Sequence, residues 1–123
     1  MKSYGLSITF LLAVAWFSPA SAGGIGYKTP AAALADLKSK PAVTAREENN
    51  WIVLNDSETN IIWSITTEKH PAHSTAIKRT FVKRDGQLFS QMNVLCGASK
   101  ETCDQVVAQF RQIDLDMREK FQP

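Results

Sequence analysis

Between residues 42 and 95 the sequence contains five short strand-like runs, separated by turn-forming residues; most of them alternate apolar and polar side chains, and the second is almost wholly apolar. A period of two predicts β-strands, because successive side chains of a strand point to opposite faces of a sheet. The predicted strands are residues 42–48, 51–55, 60–67, 73–84 and 87–95. Asn49-Asn50 and Asp85-Gly86 both tolerate the left-handed backbone of a tight turn. The pattern therefore predicts a five-stranded antiparallel meander.

Two helices are predicted to flank this region. Thr29 is placed as an N-cap and Pro30 at the first helical position, which predicts a helix over residues 30–40. After the last strand, Ser99 is a second candidate N-cap, and apolar residues then recur at steps of three and four, as on an amphipathic helix. This stripe consists of Cys103, Val106, Val107, Phe110, Ile113, Met117 and Phe121. The predicted class is α+β, and we expect both helices to cover one sheet face.

The beginning of the chain has the layout of a secretory signal peptide. Lys2 precedes an apolar run over residues 6–17, and the small residues Ala-Ser-Ala follow at positions 20–22. The run is shorter than the roughly 20 residues that a membrane-spanning helix needs. We expect cleavage near Ala22, a flexible leader over residues 23–28 and a single domain over residues 29–123. The expected location is periplasmic or secreted, with no transmembrane anchor after cleavage.

Cys96 and Cys103 are the only cysteines of the chain. Cysteines of exported proteins tend to pair, so we predict a disulfide between the last strand and the last helix. A redox pair is a weaker interpretation, because oxidoreductases favour two intervening residues and this pair has six. A shared metal site would need two further ligands, and the histidines available are His70 and His73.

The most basic stretch lies on the predicted fourth strand and surrounds one aromatic residue. It is the candidate surface for an anionic or protein partner, and comprises Lys78, Arg79, Phe81, Lys83 and Arg84. Alternation places its cations on both faces, which is also typical of a peripheral strand whose long side chains lie over the sheet. With a formal net charge of only +2, the whole chain lacks the basic excess of a nucleic-acid-binding protein.

His70 and His73 flank Pro71 in the loop between the predicted third and fourth strands. Two imidazoles at this spacing can bind a transition metal weakly, and turn-stabilising histidines are the alternative interpretation. The sequence contains no nucleophile elbow, zinc-protease helix or phosphate-binding loop. We therefore predict a non-enzymatic binding protein without a cofactor, which docks an anionic or protein partner through the uncovered sheet face or through the basic strand. A metal-handling protein is the alternative, and a small hydrolase or thiol enzyme is less favoured.

Three phrases of the sequence carry a family resemblance: WSITTEKHPAH at residues 63–73, IKR at 77–79 and MNVLC at 92–96. The chain resembles small exported proteins of Gram-negative proteobacteria that have no assigned biochemical activity. The likeness extends from about Thr29 to about Phe110. It implies a periplasmic location and a shared fold, and it supplies no catalytic or binding residues.

Overall fold

The computed structural model describes residues 24–120. Helix α1 (Pro30–Lys38) comes first and helix α2 (Lys100–Lys120) last, and between them lie five strands: β1 (Val43–Glu48), β2 (Trp51–Asp56), β3 (Ile61–Thr66), β4 (Thr75–Arg84) and β5 (Gln87–Cys96). The strands form one antiparallel sheet in sequence order. The predicted α+β class, meander and flanking helices are confirmed. The predicted signal peptide, Gly23 and Phe121 lie outside the described residues.

The two predicted tight turns have the backbone that their residues favour. Asn49 and Asn50 have φ of 52° and 65°, and Asp85 and Gly86 have φ of 52° and 78°. Two successive residues with positive φ match the right-handed twist of the strands that they connect. These turns fix the register of the hairpins, because a two-residue loop leaves no freedom to slip.

The α1 face of the sheet carries one of two apolar cores. Leu54 lies opposite Trp63 across β2 and β3, and Ile65 lies opposite Ala76 across β3 and β4. These side chains pack with Leu37 of α1 in one buried cluster. Helix α1 therefore covers this face.

The second core lies on the other face, which we call the α2 face. Trp51 and Ile77 pack there with Val106 and Phe110 of α2. Because Ile77 directly follows Ala76 in β4, the two side chains point to opposite faces. The expectation that both helices cover one face is wrong. Both faces of the central strands are apolar, so each face needs its own cover.

Within residues 24–28, where a flexible leader is expected, the structure shows packed side chains. Ile25 is only 2% exposed and belongs to the core under α1. Tyr27 packs edge-on against Trp63, and its hydroxyl donates a hydrogen bond to the carboxylate of Asp36. This segment is held by burial and by a polar contact with α1.

The disulfide between Cys96 and Cys103 is confirmed, with the two Cα atoms 6.0 Å apart. Cys96 ends β5, and Cys103 lies in the first turn of α2. The bond thus holds the start of the last helix against the end of the last strand.

Replacing both cysteines by serine should lower the free energy of unfolding by about 2.5 kcal/mol, the chain-entropy value for a closed loop of about eight residues. Urea unfolding of the oxidised protein and of the double variant measures the difference. Reduced wild-type protein is the control and should match the variant. Equal stability of the oxidised and reduced wild-type proteins would contradict this account.

The hydrogen bond to Asp36, with partial burial and the negative charges of Asp36 and Asp56, raises the pKa of Tyr27 from 10.0 to about 12. The folded protein therefore holds this proton more tightly than the unfolded chain. The resulting stabilisation is fully present below pH 10 and is lost as the pH rises towards 12. The difference in tyrosinate absorbance between wild type and Tyr27→Phe should give a midpoint near 12. The Phe variant should also lack this part of the alkaline loss of stability, and an ordinary tyrosine midpoint would refute the assignment.

Candidate binding groove beside α2

Helix α2 is tied to the sheet at its first turn. The side-chain oxygen of Ser99 accepts the backbone N–H of Thr102 over 3.2 Å, as an N-cap does. The hydroxyl of Thr75, at the start of β4, donates to the carbonyl oxygen of Ala72 over 2.6 Å, and its oxygen lies 3.1 Å from the sulfur of Cys96. Together with the disulfide, these contacts determine where the helix begins.

A buried ion pair holds the second half of the helix. Nη1 of Arg79 donates to Oδ1 of Asp114 over 2.8 Å, and the hydroxyl of Ser90 donates to Oδ2 over 2.6 Å. Arg79 is 6% exposed and Asp114 is 8% exposed. The guanidinium carbon of Arg79 lies 5.5 Å from the ring centre of Phe81 and 5.2 Å from that of Phe110. One carboxylate of α2 is thereby bound to both β4 and β5.

The ion pair sets the rotation of α2 about its own axis. Because Asp114 points at β4 and β5, the neighbouring Ile113 is turned by about 100° towards the other strands. Ile113 is 40% exposed, although the amphipathic pattern predicts that it is part of the packed stripe. An aspartate at position 114 occupies the buried place instead.

A groove of about 440 Å³ lies between this side of α2 and strands β1 to β3. We call it the α2 groove. Its apolar lining consists of Trp51, Val53, Ile62, Phe110, Ile113 and Met117. Arg46 and Glu48 of β1 stand at its rim and form a mutual ion pair at 3.3 Å. The groove exists because α2 lies over β4 and β5 and leaves the α2 face of β1 to β3 open on one side.

A second depression, of about 840 Å³, adjoins the groove, since Asn55 and Ile62 line both. It forms where the β4–β5 hairpin extends beyond β3, whose register with β4 ends at Ile61 opposite Thr80. Further lining side chains are Asp56, Phe81, Val82, Lys83 and Leu88. The two depressions make one continuous, mainly apolar surface with Lys83 near one end.

The structure separates the five residues of the predicted basic surface. Phe81 and Lys83 line the second depression, but Arg79 is buried against Asp114. Lys78 and Arg84 lie on the α1 face, with their cationic groups 5.6 Å from the Trp63 ring and 5.0 Å from the Phe89 ring. A single surface that uses all five is not formed. Of the four cations of the predicted surface, Lys83 is the one that lines the second depression with an exposed side chain.

His70 and His73 have different surroundings. Nδ1 of His70 accepts the backbone N–H of Ala72 over 2.9 Å, and the ring packs edge-on against Trp51 at 4.4 Å. Burial lowers the pKa of His70. Nδ1 of His73 lies 3.3 Å from the hydroxyl of Thr66. A metal at Nε2 of His70 would require a proton on Nδ1, opposite the Ala72 N–H, so this geometry favours the turn-stabilising interpretation.

Within residues 24–120 no group of three or more His, Cys, Asp or Glu side chains is arranged to hold a metal ion. Over the same residues, no helix has the length and apolarity needed to cross a membrane. Comparison with protein-family models, with curated proteins and with solved structures finds no match to this chain. The geometry of the candidate site is therefore the basis for inferring its function.

Sequence reasoning missed Asp114 and Ser90, the acceptor and second donor of the buried pair. One signal was present: Asp114 follows Val106 and Phe110 at steps of four, so an acid stands in the apolar stripe. Arg79 shares its face of β4 with Ile77, which places a cation on the same buried surface. An acid and a base that both point inward from packed elements indicate an ion pair.

Replacing Asp114 with alanine should lower the free energy of unfolding by about 3–5 kcal/mol, because the Arg79 charge stays buried without its partner. The double variant Arg79→Met/Asp114→Leu should regain most of this loss, since neither charge remains. Urea unfolding measures both effects.

Asp116→Ala is the matched control. Asp116 is exposed on the same helix, where it accepts a hydrogen bond from Gln112, so its removal should change stability by less than about 0.5 kcal/mol. Equal losses for the two aspartates would contradict a buried pair at Asp114.

Proposed function

We propose that this protein is an exported, non-enzymatic binding protein that takes an apolar segment of a protein partner in the α2 groove. The observation that carries the proposal is the exposure of Ile113 beside the buried Asp114. The ion pair between Arg79 and Asp114 fixes the rotation of α2. Ile113 is therefore held in one position at the edge of the α2 groove. Such surfaces are typical of protein-interaction sites.

Export is supported by the sequence of residues 1–22 and by the disulfide. The charged start, the apolar run and the Ala-Ser-Ala triplet have the order of a secretory signal. Disulfides persist in oxidising compartments such as the periplasm and the extracellular space. A periplasmic or secreted location is therefore part of the proposal.

A protein segment suits the groove better than a small molecule does. Small-molecule sites bury most of their ligand's surface, whereas this groove is open along one side of α2. The adjoining depressions share Asn55 and Ile62, so an elongated partner can occupy both. The floor between β2 and β3 contributes Val53 and Ile62, which are half-buried. These side chains gain further burial when a partner covers them, which is a favourable free-energy change.

Lys83 makes one end of the surface positively charged. It lines the second depression together with Phe81, and its side chain is exposed. An acidic residue in the partner would be attracted to this end of the surface, while its apolar residues would lie against Ile113 and Met117. The proposed partner segment is thus apolar along its length with an acidic group at one end.

Selection from a phage-displayed library of random dodecapeptides tests the proposal. Selected peptides should be rich in large apolar residues and carry an acidic residue towards one end. Ile113→Asp should weaken the binding of a selected peptide about tenfold or more, because it places a charge in the apolar groove. Lys83→Glu should weaken binding less and should reduce its dependence on salt.

Leu115→Asp is the matched control, since Leu115 is 50% exposed on the same helix but is not among the residues that line the groove. It should leave peptide affinity unchanged. A library that yields no binder, or peptides that bind the Ile113 and Leu115 variants equally well, would overturn the proposal.

A further inference from the structure

The outer edge of β5 is a second surface, separate from the α2 groove. We propose that two copies of this chain join there, with their β5 strands paired antiparallel about a two-fold axis. The joined sheets would form one ten-stranded sheet, and the two α2 helices would lie side by side on one of its faces.

β5 lies at one edge of the sheet and β1 at the other. Edge strands of monomeric proteins usually carry charges, prolines or bulges that prevent pairing with another chain. β1 follows this rule, since three of its six residues are the exposed Arg46, Glu47 and Glu48. β5 does not: its ten residues, QLFSQMNVLC, include no charge and no proline, and each has a partner in an unbroken register with β4. The two edges are thus built differently: β5 has no charge of its own, and the cation near its outer edge is Arg118 of α2.

The phase of the β4–β5 hairpin shows which backbone groups face outward. In a two-residue hairpin the pair that closes the turn, here Arg84 with Gln87, is a hydrogen-bonded pair. Alternation then directs the N–H and C=O groups of Leu88, Ser90, Met92 and Val94 away from β4. A second β5 in antiparallel orientation would bind these groups, and outward-facing residues must then lie opposite one another. The registers with the greatest overlap are therefore centred on Gln91 or on Met92, and the proposed dimer is the one centred on Gln91.

A second copy fits this edge because the strand is compatible with itself. Antiparallel pairing of identical strands sets every residue against one from the same strand, so any charge would meet a like charge at or near the axis. β5 brings no such pair in any register, because none of its residues is charged. Gln91, at the centre, is exposed on the α1 face, where it can exchange hydrogen bonds with its own counterpart.

The flank of α2 above this edge carries an apolar side chain that the monomer leaves exposed. Phe89 of β5 points to the α1 face, and the guanidinium of Arg118 lies 5.0 Å from its ring, so the side chain of Arg118 passes around the outer edge of β5 and would move aside when a second strand pairs there. This flank of the helix therefore faces the outer edge. Leu115, three residues earlier, lies on the same flank and is 50% exposed. Because Asp114 binds both β4 and β5, α2 lies above these two strands. With neighbouring strands about 4.8 Å apart, the helices of two joined copies would be about 8–10 Å apart, the normal packing distance.

Sedimentation velocity of the full mature chain over a concentration series tests the proposal. Wild type should show a reversible monomer–dimer equilibrium. Gln91→Lys and Gln91→Glu should each weaken the dimer about tenfold, because each sets like charges together at the axis. An equimolar mixture of these two variants should regain the wild-type dissociation constant, because opposite charges then meet. Restoration in the mixture distinguishes lost pairing from misfolding.

Gln105→Lys, an exposed position on α2 away from β5, is the matched control and should leave the dimer unchanged. Leu115→Asp should weaken the dimer and spare peptide binding, whereas Ile113→Asp should do the reverse, so failure of one proposal leaves the other testable. A chain that is monomeric throughout the series, or a dimer that is unchanged by Gln91→Lys, would overturn the β5 dimer.

Discussion

The ion pair between Arg79 and Asp114 is the contact on which the arrangement of the α2 face depends. Removing two charges from water is costly, and the cost is offset in part because Ser90 satisfies the second carboxylate oxygen and two aromatic rings lie against the guanidinium, whose buried Nε has no hydrogen-bond partner within the described residues. Its main consequence is positional. A carboxylate that must reach both β4 and β5 allows α2 only one rotation about its axis, and that rotation sends Ile113 to the side. The groove is the result of this orientation.

The sheet is covered on both faces, but the cover on the α2 face is incomplete. Helix α1 and the segment around Ile25 close the core over β2 to β4. Helix α2 is longer, yet it lies to one side of its face because the disulfide ties its start to the end of β5. One flank of α2 therefore borders the open part of β1 to β3, and the other borders the outer edge of β5. A single helix thus separates the proposed partner site from the proposed dimer edge, and the two sites can be occupied at the same time.

The strands and their turns were predictable because their determinants are local. Alternation over residues 42–95 and the turn residues Asn49-Asn50 and Asp85-Gly86 act within a few positions of the chain. The predicted basic surface was not predictable in the same way, because its determinants are not local. Neighbouring residues of a strand point to opposite faces, so cations that are close in sequence are divided between Trp63 and Phe89 on one side and Asp114 on the other. Which cation remains available to a partner depends on a residue 35 positions away.

The sequence by itself determined the five strands, their antiparallel hairpins, both helices and the pairing of Cys96 with Cys103, whereas the order of the strands in the sheet is a finding of the structure. Each follows from periodicity, from turn chemistry or from the small number of cysteines. The tertiary structure decided that the helices lie on opposite faces, that Ile25 is buried and that Asp114 takes the place of Ile113 in the core. These outcomes depend on which surfaces compete for burial once the sheet has formed. The central strands have apolar side chains on both faces, so the local sequence does not indicate which helix covers which face.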